Sequence, residues 1–152
     1  MGNDWGATIG WQMALMRPDR VRGLVAFGVP MMARAPKPPT QLFPRTDHAL
    51  FYPLYFQEPG LAECELERNV PTTLRRICHA GSGDTGPRRP GDGTPNPFGM
   101  VTLEHGLLHD LHEPVSLPAW LAKADFDAYA AAFARSGFRG GLSDYRNLDR
   151  NW

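Results

Sequence analysis

Apolar positions fall along this chain in two rhythms. Trp5, Ile9, Met13 and Met16 recur at helical spacing and predict a helix over 6–17, with Gly10 permitting close approach and Pro18-Asp19 ending it. Val21, Leu24, Val25, Ala26 and Phe27 follow as a short run rich in β-formers, which predicts a buried strand over 21–27 closed by Val29-Pro30. Pro36, Pro38, Pro39 and Pro44 then exclude a continuous helix over 31–46. Helical patterning resumes over 48–56, and after Gln57-Glu58-Pro59-Gly60 an amphipathic helix is expected over 61–69, with Glu63, Glu65, Glu67 and Arg68 outward. Pro71 suits the first turn of a further helix over 72–80.

Ten of the nineteen positions over 81–99 are Gly or Pro, so a loop is expected there. A short apolar piece over 107–111 is bounded by Pro114 and Pro118. Phe126, Tyr129, Ala130 and Phe133 mark the apolar face of a helix starting at Ala124-Asp125, with Gly137 as its C-cap. Gly140-Gly141-Leu142 reads as a turn, and 143–152 as a last helix. One strand–helix–strand unit followed by so much helix is lopsided. The fold class expected is α/β: a partial α/β core over 1–30, then a mainly helical cap over 31–152.

Length and charge narrow the partners. A chain of 152 residues can bury one core of real size, and 16 basic against 16 acidic residues leave no stripe for nucleic acid and no polybasic membrane patch. No apolar run reaches membrane-spanning length, and a cytoplasmic setting is expected, with Cys64 and Cys78 as reduced packing residues. The abrupt start and the ending at Asn151-Trp152 suggest a fragment.

The chemistry concentrates at the start. Gly2-Asn3-Asp4-Trp5-Gly6 has the Gly-x-Asp-x-Gly form of a nucleophile elbow, in which a strand turns sharply into a helix and lifts the central side chain onto a crest. Gly2 and Gly6 would avoid collision between the strand and the helix. A carboxylate there is already ionised, but it needs an electrophile with its own leaving group, such as a strained ring or a carbon–halogen bond. The plainer reading of the same residues is that Asp4 is a helix N-cap.

At this point a family resemblance is carried by several stretches together. Gly2-Asn3-Asp4-Trp5-Gly6, Arg17-Pro18-Asp19-Arg20-Val21-Arg22, Leu54-Tyr55-Phe56-Gln57-Glu58-Pro59-Gly60, Ser136-Gly137-Phe138-Arg139-Gly140 and Tyr145-Arg146-Asn147-Leu148-Asp149-Arg150-Asn151-Trp152 stand in the order and spacing found in epoxide hydrolases. The chain thus resembles the α/β-hydrolase-fold epoxide hydrolases from their nucleophile elbow through their cap domain. The resemblance implies that Asp4 attacks an epoxide carbon to form an alkyl-enzyme ester. It also implies that two cap tyrosines, Tyr52 and Tyr145, hydrogen-bond the epoxide oxygen and protonate it, and that the Trp5 backbone N–H lends half of an oxyanion hole. Spacing alone does not single out this pair among Tyr52, Tyr55, Tyr129 and Tyr145. The implied partner is a small-molecule epoxide, with no cofactor and no metal. A separate hydrolase half or a second copy of the chain is a further candidate.

Departures from the pattern bear on turnover. Asn3 replaces the family's His, and Ser143-Asp144 replaces an Asn-Trp pair before Tyr145, setting a carboxylate beside that phenol. The family's oxyanion loop, triad acid and general-base His have no match in these residues. The resemblance therefore implies that Asp4 can be alkylated but not released. His48, His79, His105, His109 and His112 all fall in cap-like segments. The last three would share a face at metal-ligand spacing if helical, although Gly106 and Pro114 argue against that helix. Two other readings are a haloalkane dehalogenase relative, which also uses an elbow Asp, and a non-catalytic interaction module whose strand face needs a partner.

Overall fold

The computed structural model describes residues 1–85 and 99–152, so most of the loop expected over 81–99 lies outside the described residues. The chain divides into two compact units, Met1–Lys37 with Trp152, and Pro38–Asn151.

In the first unit Gly2–Asn3 (β1) pairs in parallel with Ala26–Phe27 (β2), Gly2 opposite Ala26 and Asn3 opposite Phe27. A parallel pair needs a crossover, and Trp5–Met16 (α1) supplies it. Flanking bonds from Gly2 N–H to Val25 O (2.9 Å) and from Asp4 N–H to Phe27 O (3.2 Å) extend the ladder slightly. The strand expected over 21–27 thus survives as two residues, and it is not buried: Val25 and Phe27 are 55% and 52% exposed. Likewise Ile9, Met13 and Met16 on the expected apolar side of α1 are exposed. The reason is geometric: two short strands and one helix offer one contact surface, and Ala7 alone in α1 is buried there. Gly10 does serve close approach, since a Cβ on it would stand 2.8 Å from Leu24 Cδ1. Trp11 Nε1 donates to Val29 O at 3.0 Å, and Trp152 Nε1 to Ala35 O at 2.8 Å with the Arg34 guanidinium over its ring.

The second unit is helical around one small sheet. Its elements are Pro39–Leu42 (α2), Ala49–Phe51 (β3), Tyr52–Tyr55 (α3), Leu61–Leu66 (α4), Val70–Ala80 (α5), Met100–Thr102 (β4), Lys123–Ser136 (α6) and Arg139–Arg146 (α7). The helix expected over 48–56 is corrected to a strand followed by a single turn of helix. The cause is a distant partner, because β3 pairs antiparallel with β4, Leu50 opposite Val101, and local patterning cannot register such pairing. The turn expected at Gly140–Leu142 is instead the body of α7, with open space around both glycines, and the helix expected over 143–152 ends at Arg146. The piece over 107–111 forms neither helix nor strand; Leu107 and Leu108 pack against the core. That core joins Tyr55, Phe56, Ala62, Leu66, Val70, Leu74, Val101, Phe126, Phe138 and Leu142. On α6 the expected face holds for Phe126, Ala130 and Phe133, but Tyr129 is 60% exposed.

The outward placement expected over 61–69 is corrected for Glu63 and Glu65, which are half-buried against partners, and holds for Glu67 and Arg68, which are exposed. Glu63 bonds Arg146, Glu65 accepts from Tyr55 Oη (2.8 Å) and from the Leu107 and Leu108 N–H groups (3.0 and 2.7 Å), and Glu67 accepts from Phe138 N–H (2.9 Å). Gly106 and Gly137 sit at positive φ against Glu65 and Glu67, where an added Cβ would come within 2.7 and 2.5 Å of a carboxylate oxygen. Cys64 is exposed and so is not a packing residue; Cys78 is half-buried, and both are free.

Thr73 is fully buried and donates through Oγ1 to Leu66 O at 2.8 Å, tying α5 to the end of α4. Thr73→Val, which keeps the shape and removes the donor, is expected to cost about 1–2 kcal/mol, read as a lower urea midpoint at unchanged slope.

Candidate active site

Asp4 stands at the junction where β1 ends and α1 begins, with φ 51° and ψ −120°. Among the described residues it is the one non-glycine residue at positive φ, a conformation costing on the order of 1–3 kcal/mol that the flanking ladder and helix hold in place. Gly2 makes the junction possible, because a Cβ there would lie 2.3 Å from Gly6 O. The same need does not extend to Gly6, where a Cβ would meet open space. The Asp4 side chain is exposed and accepts from the Trp5 N–H at 2.7 Å. The Asp4 carboxylate therefore caps the Trp5 N–H, so the N-cap reading and the strained-turn reading of Asp4 describe the same geometry. Its backbone O also accepts from Ala7 and Thr8 N–H at 3.0 Å each.

The second unit brings Tyr52 and Tyr145 together. Tyr52 opens α3 and Tyr145 lies in the last turn of α7, and their ring centroids are 5.5 Å apart at 75°. Phe56 packs edge-on to both, 5.5 Å from Tyr52 and 5.1 Å from Tyr145, and Phe51 touches Tyr52 at 4.8 Å. Both tyrosines are half-buried. The other two differ: Tyr55 is buried with its hydroxyl given to Glu65, and burial together with that carboxylate raises its pKa, whereas Tyr129 is exposed on α6.

No family model matches the chain. Individual relatives do. Epoxide hydrolase A of Mycobacterium tuberculosis is 42% identical over 153 residues, covering the whole of this chain and 46% of its own length. Bifunctional epoxide hydrolase 2 of Sus scrofa is 36% identical, again over the whole chain but 26% of its own length. Among solved structures, an epoxide hydrolase from an endophytic Streptomyces superposes with a TM-score of 0.88 at 38% identity, covering 99% of this chain and 44% of that one. Epoxide hydrolase A from Mycobacterium thermoresistibile gives 0.80 at 38% identity, covering 99% and 46%. The chain is a relative of the α/β-hydrolase epoxide hydrolases. It spans under half the length of these relatives.

Three residues around the tyrosine pair were not singled out as site residues by sequence reasoning, although two of them, Gln57 and Arg146, lie in the stretches that carry the resemblance. Arg146 follows Tyr145 and spreads its guanidinium over four acceptors: Phe56 O (2.8 Å), Glu58 O (3.3 Å) and the two carboxylate oxygens of Glu63 (2.6 and 2.8 Å). This fork-on-fork pair is well buried, with the side chains 15% and 13% exposed. Gln57 donates both to Pro53 O (2.7 Å) and to Tyr145 O (3.0 Å). Gly99, at φ 80°, accepts from Tyr52 N–H at 2.7 Å, and a Cβ on it would stand 3.0 Å from the Tyr52 ring. Its positive φ is legible in sequence only as a loop glycine.

The histidines do not form a site. Residues 105–112 are not helical; His105 pairs with His109 and His79 with His112 as ring contacts, and no group of three or more metal-capable side chains occurs among the described residues.

Arg146 holds the Glu63 carboxyl down at about 2, chiefly through its hydrogen bonds, against burial that acts the other way. Because the folded value lies below the usual 4.5, this stabilisation is complete above about pH 4.5 and is lost as pH falls toward 2. Glu63→Gln is expected to lose about 2–3 kcal/mol at pH 7 and to flatten the pH dependence of stability in that window, measured by urea unfolding at stepped pH.

Proposed function

We propose that this chain carries the nucleophile and the proton-donating cap of an epoxide-opening enzyme whose full reaction converts an epoxide to a diol through an ester on Asp4. The observation that carries this reading is the convergence of Tyr52 and Tyr145 from opposite ends of the second unit, in a chain related throughout to epoxide hydrolases. In the first step an Asp4 carboxylate oxygen attacks an epoxide carbon, a C–O ester bond forms and the ring C–O bond breaks. The epoxide oxygen leaves as an alkoxide, and phenol donors are what this leaving group needs. A hydrogen bond from one tyrosine and a proton from the other neutralise the charge as it develops. In the second step water adds to the Asp4 carboxyl carbon and the bond from that carbon to the substrate oxygen breaks, the diol leaving with one proton of the water. The Trp5 N–H, which already holds Asp4 Oδ1, serves the oxyanion that forms on that oxygen.

Paired phenols favour an epoxide over a haloalkane, since a halide departs without a proton. The positive φ of Asp4 supports its role as the nucleophile of an elbow, because strain of this kind concentrates at functional turns. Residues 1–30 are read as hydrolase core and residues 31–152 as cap. The first unit contains no histidine to activate water, so the ester is expected to persist on this polypeptide. The exposed apolar residues of that unit, Ile9, Met13, Val25 and Phe27 among them, suit contact with further hydrolase sheet or with a second copy. Among the described residues no helix is long and apolar enough to cross a membrane, and the two free cysteines fit a cytoplasmic setting.

Intact-protein mass after incubation with styrene oxide tests the reading. A lasting one-to-one adduct is expected, absent in Asp4→Ala, and forming about 10²-fold more slowly in Tyr52→Phe and in Tyr145→Phe. An adduct that survives in Asp4→Ala would sink the assignment of the nucleophile.

A further inference from the structure

Gln57 occupies an unusual position between the two tyrosine-bearing helices. The single turn of α3 ends tightly: Phe56 N–H returns to Tyr52 O at 3.0 Å, and Gln57 N–H goes to Leu54 O at 3.1 Å. Gln57 N–H is the group that would reach Pro53 O in a continuing α-helix, so the Pro53 carbonyl is left facing the Gln57 side chain. Nε2 donates to it at 2.7 Å and, with its other hydrogen, to Tyr145 O at 3.0 Å. Both acceptors are carbonyls, so the amide orientation is fixed by chemistry: only the NH2 end can serve them. One planar group thus ties the residue after Tyr52 to the backbone of Tyr145. The Tyr145 carbonyl, which also accepts from Leu148 N–H at 3.2 Å, holds a second lone pair for this purpose.

We infer that Gln57 is a positioning residue that sets the separation and relative tilt of Tyr52 and Tyr145. The inference rests on the epoxide-opening reading for its catalytic consequence, but its structural content does not. Arg146 and Glu63 anchor α7 as a whole, whereas the one Gln57 amide bonds the backbone of both tyrosine segments at once. Loss of its two donors leaves the fold held by Arg146 and lets the phenols move relative to each other. A reaction that needs both phenols on one oxygen is sensitive to that motion, and a displacement that needs no proton is not.

In the unaltered chain, nuclear magnetic resonance is expected to show the Gln57 side-chain NH2 protons protected from exchange, with contacts to Pro53 and Tyr145. In Gln57→Met the ring signals of Tyr52 and Tyr145 are expected to shift while Tyr129 stays put. Alkylation of Asp4 by styrene oxide is expected to slow about tenfold while alkylation by a primary alkyl iodide keeps its rate. Side-chain protons exchanging as fast as those of free glutamine, or unmoved tyrosine rings in a folded Gln57→Met, would overturn the inference. Equal slowing with both reagents would also overturn it, since that marks general damage. If the variant does not fold, the exchange measurement on the unaltered chain decides. If neither reagent alkylates the unaltered chain, the nucleophile reading fails, and the ring shifts decide the positioning role.

Discussion

The second unit depends on the carboxylates of one short helix. Glu63 and Glu67 lie one turn apart and Glu65 points the other way, so α4 reaches two sets of partners with three acids. Glu63 takes the Arg146 fork and also the Gly60 N–H at 2.9 Å at the start of its own helix. Glu65 satisfies a buried phenol and two loop N–H groups, and Glu67 takes the Phe138 N–H between α6 and α7. Backbone groups buried without such partners would each be costly, and charged acceptors make strong bonds to them. The neighbouring glycines at positive φ follow from the same constraint, because a side chain at Gly106 or Gly137 would occupy the carboxylate's place.

The tyrosine pair follows from this frame. Arg146 draws the end of α7 against the Phe56 and Glu58 carbonyls, which brings the preceding residue, Tyr145, onto Phe56 and Tyr52. The edge-on aromatic contacts then set ring orientation at a modest gain, about 0.5–1.5 kcal/mol per pair. Aromatic packing alone would not distinguish Tyr52 from Tyr55, which lies beside the same Phe56. The difference is the hydroxyl: that of Tyr55 is given to Glu65 in the core, so its ring serves stability. Burial beside a carboxylate also holds that phenol protonated well above the usual range.

The first unit is organised on another principle. It holds a strained acid at a strand–helix junction with very little burial, and its larger apolar side chains face outward. The parallel pairing of β1 and β2 and the Gly2–Gly6 approach hold Asp4 in place, because the two-residue ladder before the turn and α1 after it fix the backbone there.

How much of this was legible in the sequence varies with the range of the forces involved. Helices α1, α5 and α6, the cap at Gly137, and the turn at Asp4 are written locally, in spacing, capping residues and glycine positions, because each is decided within a few residues of chain. The family resemblance was also legible, since whole motifs stand in order. The strand at Ala49–Phe51 was not, because its partner lies far along the chain, past α4 and α5, and its own residues suit a helix equally well. The inward turn of Glu63 and Glu65 was hidden for a related reason: a charged residue reads as solvent-facing until its partner is known, and the partners come from α3, α7 and a loop distant in sequence. The sequence by itself determined where the candidate nucleophile sits and which residues are phenols. Only the tertiary structure decided which two phenols meet and what holds them, because a hydrogen bond between distant backbones leaves no periodic trace.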